Sequence, residues 1–344
     1  MLYRLFLVFF VLILFDSCKQ DEPKVSTVIS PVLIVNEGNF NWGNSSISSY
    51  NRETEQVQSD IYFDVNGVKL GDVAQSLSQK DSLLFVIVNN SSKIEVVSKF
   101  TLKRKWTISL PNSSPRYFLA INDSLGLVSE LYANKLWIVN YINGSIKKTI
   151  PMQGETQQMI MKNGTVFVLE RTVFQGQEVA NIVLIDPVSL TRKGVISLPS
   201  APNAFTFLTE NILAVSTDFK NSMLPSKILF CDVVSKSIIK SFDAPNSERF
   251  SYLRSNANGT LFYMLNKNLY TIENSSNLLS TLPLISHGTS NVYALDIDFS
   301  LKEIYISDAL DYVQRSKIMR YSFDGRLIDE FNAGINSTQI YFVR

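Results

Sequence analysis

Residues 115–152 read PRYFLAINDSLGLVSELYANKLWIVNYINGSIKKTIPM, and their pattern decides the fold. Short runs of alternating apolar and polar residues are cut by Asn, Ser and Gly, as in consecutive antiparallel strands. Four strands follow in order: PRYFLAIND, LGLVSEL after a tight turn, KLWIVNY, then SIKKTIPM. Residues 73–110 repeat that order as VAQSLSQ, LLFVIVN, KIEVVSK and RKWTISL, and both units place Asp-Ser-Leu at the first turn. Along the chain, an apolar strand running into a polar terminus recurs seven times, ending at Asn36, Asn89, Glu130, Glu170, Ser216, Asn266 and Ser307. The intervals of 53, 41, 40, 46, 50 and 41 residues lie in the range of four-stranded propeller blades.

The first strand of each unit starts near Val73, Pro115, Thr156, Pro202, Phe250, Asn291 and Thr338. The C-terminal segment TQIYFV has no strands after it, and the N-terminal VLIVN, ISSYN and VQSDIYF lack one before them. The two ends would therefore complete one blade together and leave no open edge. The expectation is an all-β, seven-bladed β-propeller with four-stranded blades over residues 31–344, closed by the C-terminal strand joining the N-terminal blade.

Composition narrows the chemistry. Hydrophobic residues make up 45% of the 344 and charged residues 18%, enough for a sizeable core. With 32 Lys and Arg against 31 Asp and Glu, no long-range field favours nucleic acid as a partner. One histidine, His287, and two cysteines, Cys18 and Cys231, exclude zinc sites of four cysteines or three histidines. No cofactor and no metal site is implied.

The start, MLYRLFLVFFVLILFDSC, has a basic flank at Arg4, an apolar run too short to span a bilayer, and a small residue before Cys18. Residues 1–17 are read as a lipoprotein signal peptide, Cys18 as the lipidated residue and 18–30 as a polar tether. The following KQDEPK resembles the surface-export tag of Bacteroidota lipoproteins. The resemblance implies an outer-membrane lipoprotein at the cell surface, with a periplasm-facing position as the alternative.

The repeat unit, with its strand, Asn, polar turn and Pro before the next innermost strand, resembles the YncE-like or YVTN-type seven-bladed propellers. The opening NEGNFNWGNSSISSYN is similar to the start of the Bacteroidota lipoprotein branch of that family, which includes cobalamin-binding surface lipoproteins. The resemblance implies a non-enzymatic protein that binds a small nutrient, a corrinoid among the ligands, for a TonB-dependent outer-membrane transporter. The alternatives are an interaction or envelope scaffold and a calcium-dependent, lactonase-type hydrolase.

In propellers, turns from second to third strands share one face with the turns that lead into the innermost strands. Candidate ligand-binding residues there are Asn36, Glu37, Asn39, Phe40 and Trp42; Asn89 and Asn90; Glu130 and Tyr132; Glu170, Arg171 and Phe174; Asp218 and Phe219; Asn266; and Asp308 and Tyr312. The turns into the innermost strands add Asp72, Arg116, Gln157, Asn203, Arg249 and His287. Amides interleaved with aromatics suit a ligand with amide or hydroxyl edges and a flat apolar face. Against this, Asn and Asp at strand ends often bond their own backbone in turns. His287 without a companion reads as a turn residue, and Cys231, in ILFCDVV, as a small buried one.

Overall fold

Middle strands buried on both faces must be apolar throughout, whereas outer strands can alternate. The computed structural model, which describes residues 32–172, 178–218, 225–245, 248–256, 258–287 and 291–344, follows that rule. Blade 1 contains β1 (Val32–Asn36), β2 (Ser46–Asn51) and β3 (Gln56–Gln58). After the helix α1 (Ile61–Asn66), blade 2 is β4 (Ala74–Lys80), β5 (Leu83–Val88), β6 (Lys93–Ser98) and β7 (Arg104–Ser109). Blade 3 is β8 (Pro115–Ala120), β9 (Leu125–Glu130), β10 (Lys135–Asn140) and β11 (Ser145–Pro151). Blade 4 is β12 (Glu155–Lys162), β13 (Thr165–Arg171), β14 (Ala180–Asp186) and β15 (Thr191–Ser197). Blade 5 is β16 (Pro202–Phe207), β17 (Ile212–Thr217), β18 (Lys227–Asp232) and β19 (Ser237–Asp243). Blade 6 is β20 (Phe250–Ser255), β21 (Thr260–Leu265) and β22 (Asn268–Glu273). Blade 7 is β23 (Val292–Asp298), β24 (Glu303–Asp308), β25 (Arg315–Ser322) and β26 (Leu327–Ile335), and the last strand is β27 (Ser337–Phe342).

The seven sheets form an all-β, seven-bladed propeller in which β27 pairs antiparallel with β1, giving the order β27-β1-β2-β3. Contrast between strands follows their depth: β5, LLFVIV, is buried at every position but its first, while β11, SIKKTIP, is mostly exposed. The core lies between blades. Leu33, Val35 and Ile47 of blade 1 pack with Leu77, Leu84 and Val86 of blade 2, and Phe85 of blade 2 stacks on Phe118 of blade 3 at 4.1 Å between centroids. Gly126 permits that contact, since a Cβ there would lie 2.2 Å from the Phe118 ring.

Two segments depart from the four-strand pattern. VQSDIYF, expected as one strand, splits into the three-residue β3 and the start of α1. Asp60 accepts the Phe63 N–H at 3.4 Å as the helix cap, and Ile61 and Tyr62 turn into the core between blades 1 and 2. Among the described residues blade 6 has three strands, not four. At its outer edge the described residues form an isolated bridge between Leu269 and Ile285; Pro283, which has no N–H to donate, lies two residues before it.

Asn36 fastens the seam. Its Nδ2 donates to Ser46 Oγ at 3.1 Å and Ser48 Oγ at 3.0 Å, and its Oδ1 accepts Gly334 N at 3.0 Å and Ser337 Oγ at 2.6 Å. On the opposite face, Arg52 of blade 1 pairs with Asp298 at 2.7 Å and Glu303 at 3.0 Å in blade 7. Because Asn36 is fully buried, its removal strands several polar groups away from water. Asn36→Ala is expected to lower stability by about 2–3 kcal/mol in urea unfolding, whereas an exposed asparagine such as Asn277, changed to Ala, costs under about 0.5 kcal/mol.

Candidate functional site at the channel mouth

The polar ends of the second strands serve the scaffold before they serve a ligand. Glu130 accepts Ser114 N at 2.8 Å and Trp137 Nε1 at 3.0 Å, with a further bond from Ser113 Oγ. Glu170 accepts Gln153 N at 2.6 Å, Gly154 N at 3.3 Å and Asn181 Nδ2 at 3.0 Å. Asp308 accepts Asn291 N at 3.0 Å and Leu310 N at 2.8 Å. Together with Asn36, these buried side chains hold the segment that leads into the innermost strand of their own blade. Asn89 reaches across instead, donating to Pro115 O in blade 3 at 2.9 Å.

A different set faces the channel. In all seven innermost strands the register slips near the first residues, so that a β-bulge re-aims one side chain. The side chains so placed include Gln75, Arg116, Gln157, Asn203, Tyr252, Tyr293 and Thr338, at least one per blade. Side-chain bonds join them into an arc. Arg116 Nε donates to Gln157 Oε1 at 3.0 Å and its Nη1 to Gln75 Oε1. Gln157 donates to Glu155 at 3.2 Å; Arg171 pairs with Glu155 at 2.8 Å and Asp218 at 3.7 Å; and Asp218 binds Asn203 at 2.7 Å and Arg249 at 2.6 Å.

Across the mouth, Tyr293 Oη donates to Glu37 Oε2 at 2.5 Å. Burial pushes the Glu37 carboxyl above its ordinary value, outweighing the lowering by Tyr293 and by the Arg116 charge. Burial likewise pushes the Tyr252 phenol up to about 12.

Above this ring, the loop from Glu37 to Ser45 is fastened on both sides. Asn39 Nδ2 donates to Tyr312 O of blade 7 at 2.9 Å, while Asn41 N donates to Asp72 of blade 2 at 2.9 Å and its Oδ1 accepts Asn90 at 3.0 Å. Gly38, at φ 74°, closes the loop base, where a Cβ would meet Asn44 Oδ1 at 2.3 Å. The fastened loop exposes Phe40 by 64% and Trp42 by 75%. Tyr132 and Tyr312 are also exposed.

The expected residues therefore divide. Glu37, Arg116, Gln157, Arg171, Asn203 and Asp218 meet at the mouth, with Asn39, Phe40, Trp42, Asn90 and Tyr312 above it. Asn36, Asn89, Glu130, Glu170 and Asp308 are buried scaffold groups, and Asn266 is an exposed partner of Glu248. Cys18, Phe174 and Phe219 lie outside the described residues, as does the signal and tether segment. Cys231 is buried, which raises its thiol to about 12, and burial lowers the His287 imidazole. Gln75, Tyr252, Tyr293 and Thr338 were not expected; their signal is a shared position just inside each innermost strand.

The opposite end of the channel opens into a cavity of about 450 Å³ lined by Gln79, Arg254, Asp296, Gln339, Tyr341 and Arg344, among others. There Arg254 is neutralised by Asp296 at 2.7 Å.

A family model described as a domain of unknown function, DUF5074, matches residues 31–333, nearly the whole propeller. The chain belongs to the DUF5074 family. No curated protein matches this DUF5074 chain. Its fold is similar to that of a quinonprotein alcohol dehydrogenase-like protein from Bacteroides thetaiotaomicron VPI-5482. That likeness has a TM-score of 0.72 and 14% identity over 91% of this chain and 78% of that one. A functionally unknown protein from Desulfotomaculum acetoxidans DSM 771 gives 0.68 at 11% identity over 91% and 98%. Hydrazine synthase from Kuenenia stuttgartiensis gives 0.60 at 14% identity over 74% and 84%. These likenesses establish the propeller architecture of the DUF5074 chain.

Glu37 sets a pH dependence. Its folded-state pKa lies above the unfolded 4.5, so its stabilising contribution is full below that value and is lost as pH rises through the folded pKa. As pH rises above about 4.5, wild type is expected to lose stability relative to Glu37→Gln, measured as the difference between their urea-unfolding free energies.

Proposed function

We propose that this propeller captures a small nutrient at the channel mouth and acts without catalysis, as a lipid-anchored outer-membrane protein that passes its ligand to a TonB-dependent transporter. The observation that carries the reading is the exposed Phe40 and Trp42 pair, held by a fastened loop above a ring of amides, hydroxyls and one guanidinium. Large aromatics exposed on a rigid loop add apolar contact area at low ordering cost, and the amides below fix orientation. The ligand class that fits has a broad flat face and amide or hydroxyl edges. A corrinoid meets both conditions and agrees with the resemblance of the NEGNFNWG opening to the cobalamin-binding lipoprotein branch.

Calorimetric titration of the protein with cyanocobalamin tests this reading. Binding at micromolar concentration or tighter is expected, and the Phe40→Ala, Trp42→Ala double variant is expected to weaken it by about 2–4 kcal/mol with its unfolding midpoint unchanged. No heat with cyanocobalamin, or equal affinity in the double variant, overturns it.

A further inference from the structure

Arg116 is the only member of the bulge ring that carries a charge; the other six are amides and hydroxyls. The remaining guanidiniums at the mouth are compensated, Arg171 by Glu155 and Asp218, and Arg249 by Asp218. Arg116 is held differently. Its partners are the neutral amide oxygens of Gln75 and Gln157, both over nine-tenths buried, and among the described residues it forms no ion pair within 4.0 Å. Gln157 is fixed in turn through Glu155 to Arg171, so the guanidinium plane is set by a chain of bonds. Two of its N–H groups are engaged; among the described residues the other three of the five a guanidinium carries have no protein acceptor.

Neutral partners orient a cation without cancelling its charge, and a half-buried cation left in that state favours an incoming anion. Glu37, whose carboxyl feels the Arg116 charge, accepts a bond from Tyr293 and sits where burial outweighs that charge and disfavours its ionised form. We propose that Arg116 anchors an oxyanion, the carboxylate or phosphate group of a small ligand drawn into the channel mouth, with Gln75 and Gln157 as the positioning residues that hold its guanidinium. The inference rests on the preceding reading that the mouth is the binding face, and it adds the charge of the ligand. A planar guanidinium pairs with two oxygens of such a group at once, which an ammonium does not.

The test is calorimetric titration of the full chain at low ionic strength, with inorganic phosphate in one arm and succinate in the other. Binding of at least one probe is expected at millimolar concentration, weakened at least tenfold in Arg116→Gln and about threefold in Arg116→Lys, which keeps charge without the fork. Arg326→Gln, which removes the same charge from an exposed hairpin on the opposite face, is expected to bind as wild type. The preferred probe separates phosphate from carboxylate as the natural group. Urea unfolding confirms that each variant is folded, and Arg116→Lys carries the comparison if Arg116→Gln is not. Absence of binding by both probes up to about 50 mM, or unchanged affinity in the Arg116 variants, overturns the proposal. Cyanocobalamin plays no part in these titrations, so their failure leaves the corrinoid reading standing, and failure of the corrinoid titration leaves Arg116 as the anchor for a different anionic ligand.

Discussion

The structure depends on polar side chains at the ends of second strands that, in four of the seven blades, hold the start of the blade's own innermost strand. A propeller blade meets its neighbours through apolar faces that specify contact without direction, so the position of the innermost strand has to be fixed by hydrogen bonds. Asn36, Glu130, Glu170 and Asp308 do this by accepting backbone N–H groups at Gly334, Ser114, Gln153 and Asn291. Each is almost fully buried, which makes the bonds costly to lose. At the seam the same bond also joins the two ends of the chain, since Asn36 and Gly334 lie 298 residues apart.

With those segments fixed, the bulges can hold side chains toward the axis without disturbing the ladder. A regular strand would alternate them between the two blade interfaces. The slip in register turns at least one residue per blade into the channel and lets sequence-distant amides, phenols and a guanidinium share one concave surface. Blade-holding and channel-facing positions therefore fall on different residues a few positions apart: Glu130 builds the blade, and Arg116 faces the mouth.

The sequence made the blade order legible because depth in a propeller is written directly as strand composition, as the difference between LLFVIV and SIKKTIP illustrates. It also indicated which candidate residues share one face, because turn direction follows from strand order. It blurred the site itself. Strand-end Asn, Asp and Glu look alike whether they bond backbone, as Glu170 does, or line the mouth, as Glu37 does. Tyr293 and Tyr252 read as ordinary strand residues because a bulge has no strong local signature. Blade 6 and the start of α1 depart from the strand pattern for a related reason: Pro283 and the Asp60 cap act on backbone hydrogen bonds, and apolar periodicity does not report them.

Hydrogen–deuterium exchange of the whole chain, with and without saturating cyanocobalamin, tests most directly that this face receives the ligand. The account predicts slowed exchange in residues 37–44 and at the bulges near Arg116 and Tyr252, with the hairpins at Asp81 and Gly325 on the opposite face unchanged. Protection confined to those opposite hairpins, or absent everywhere, would contradict it.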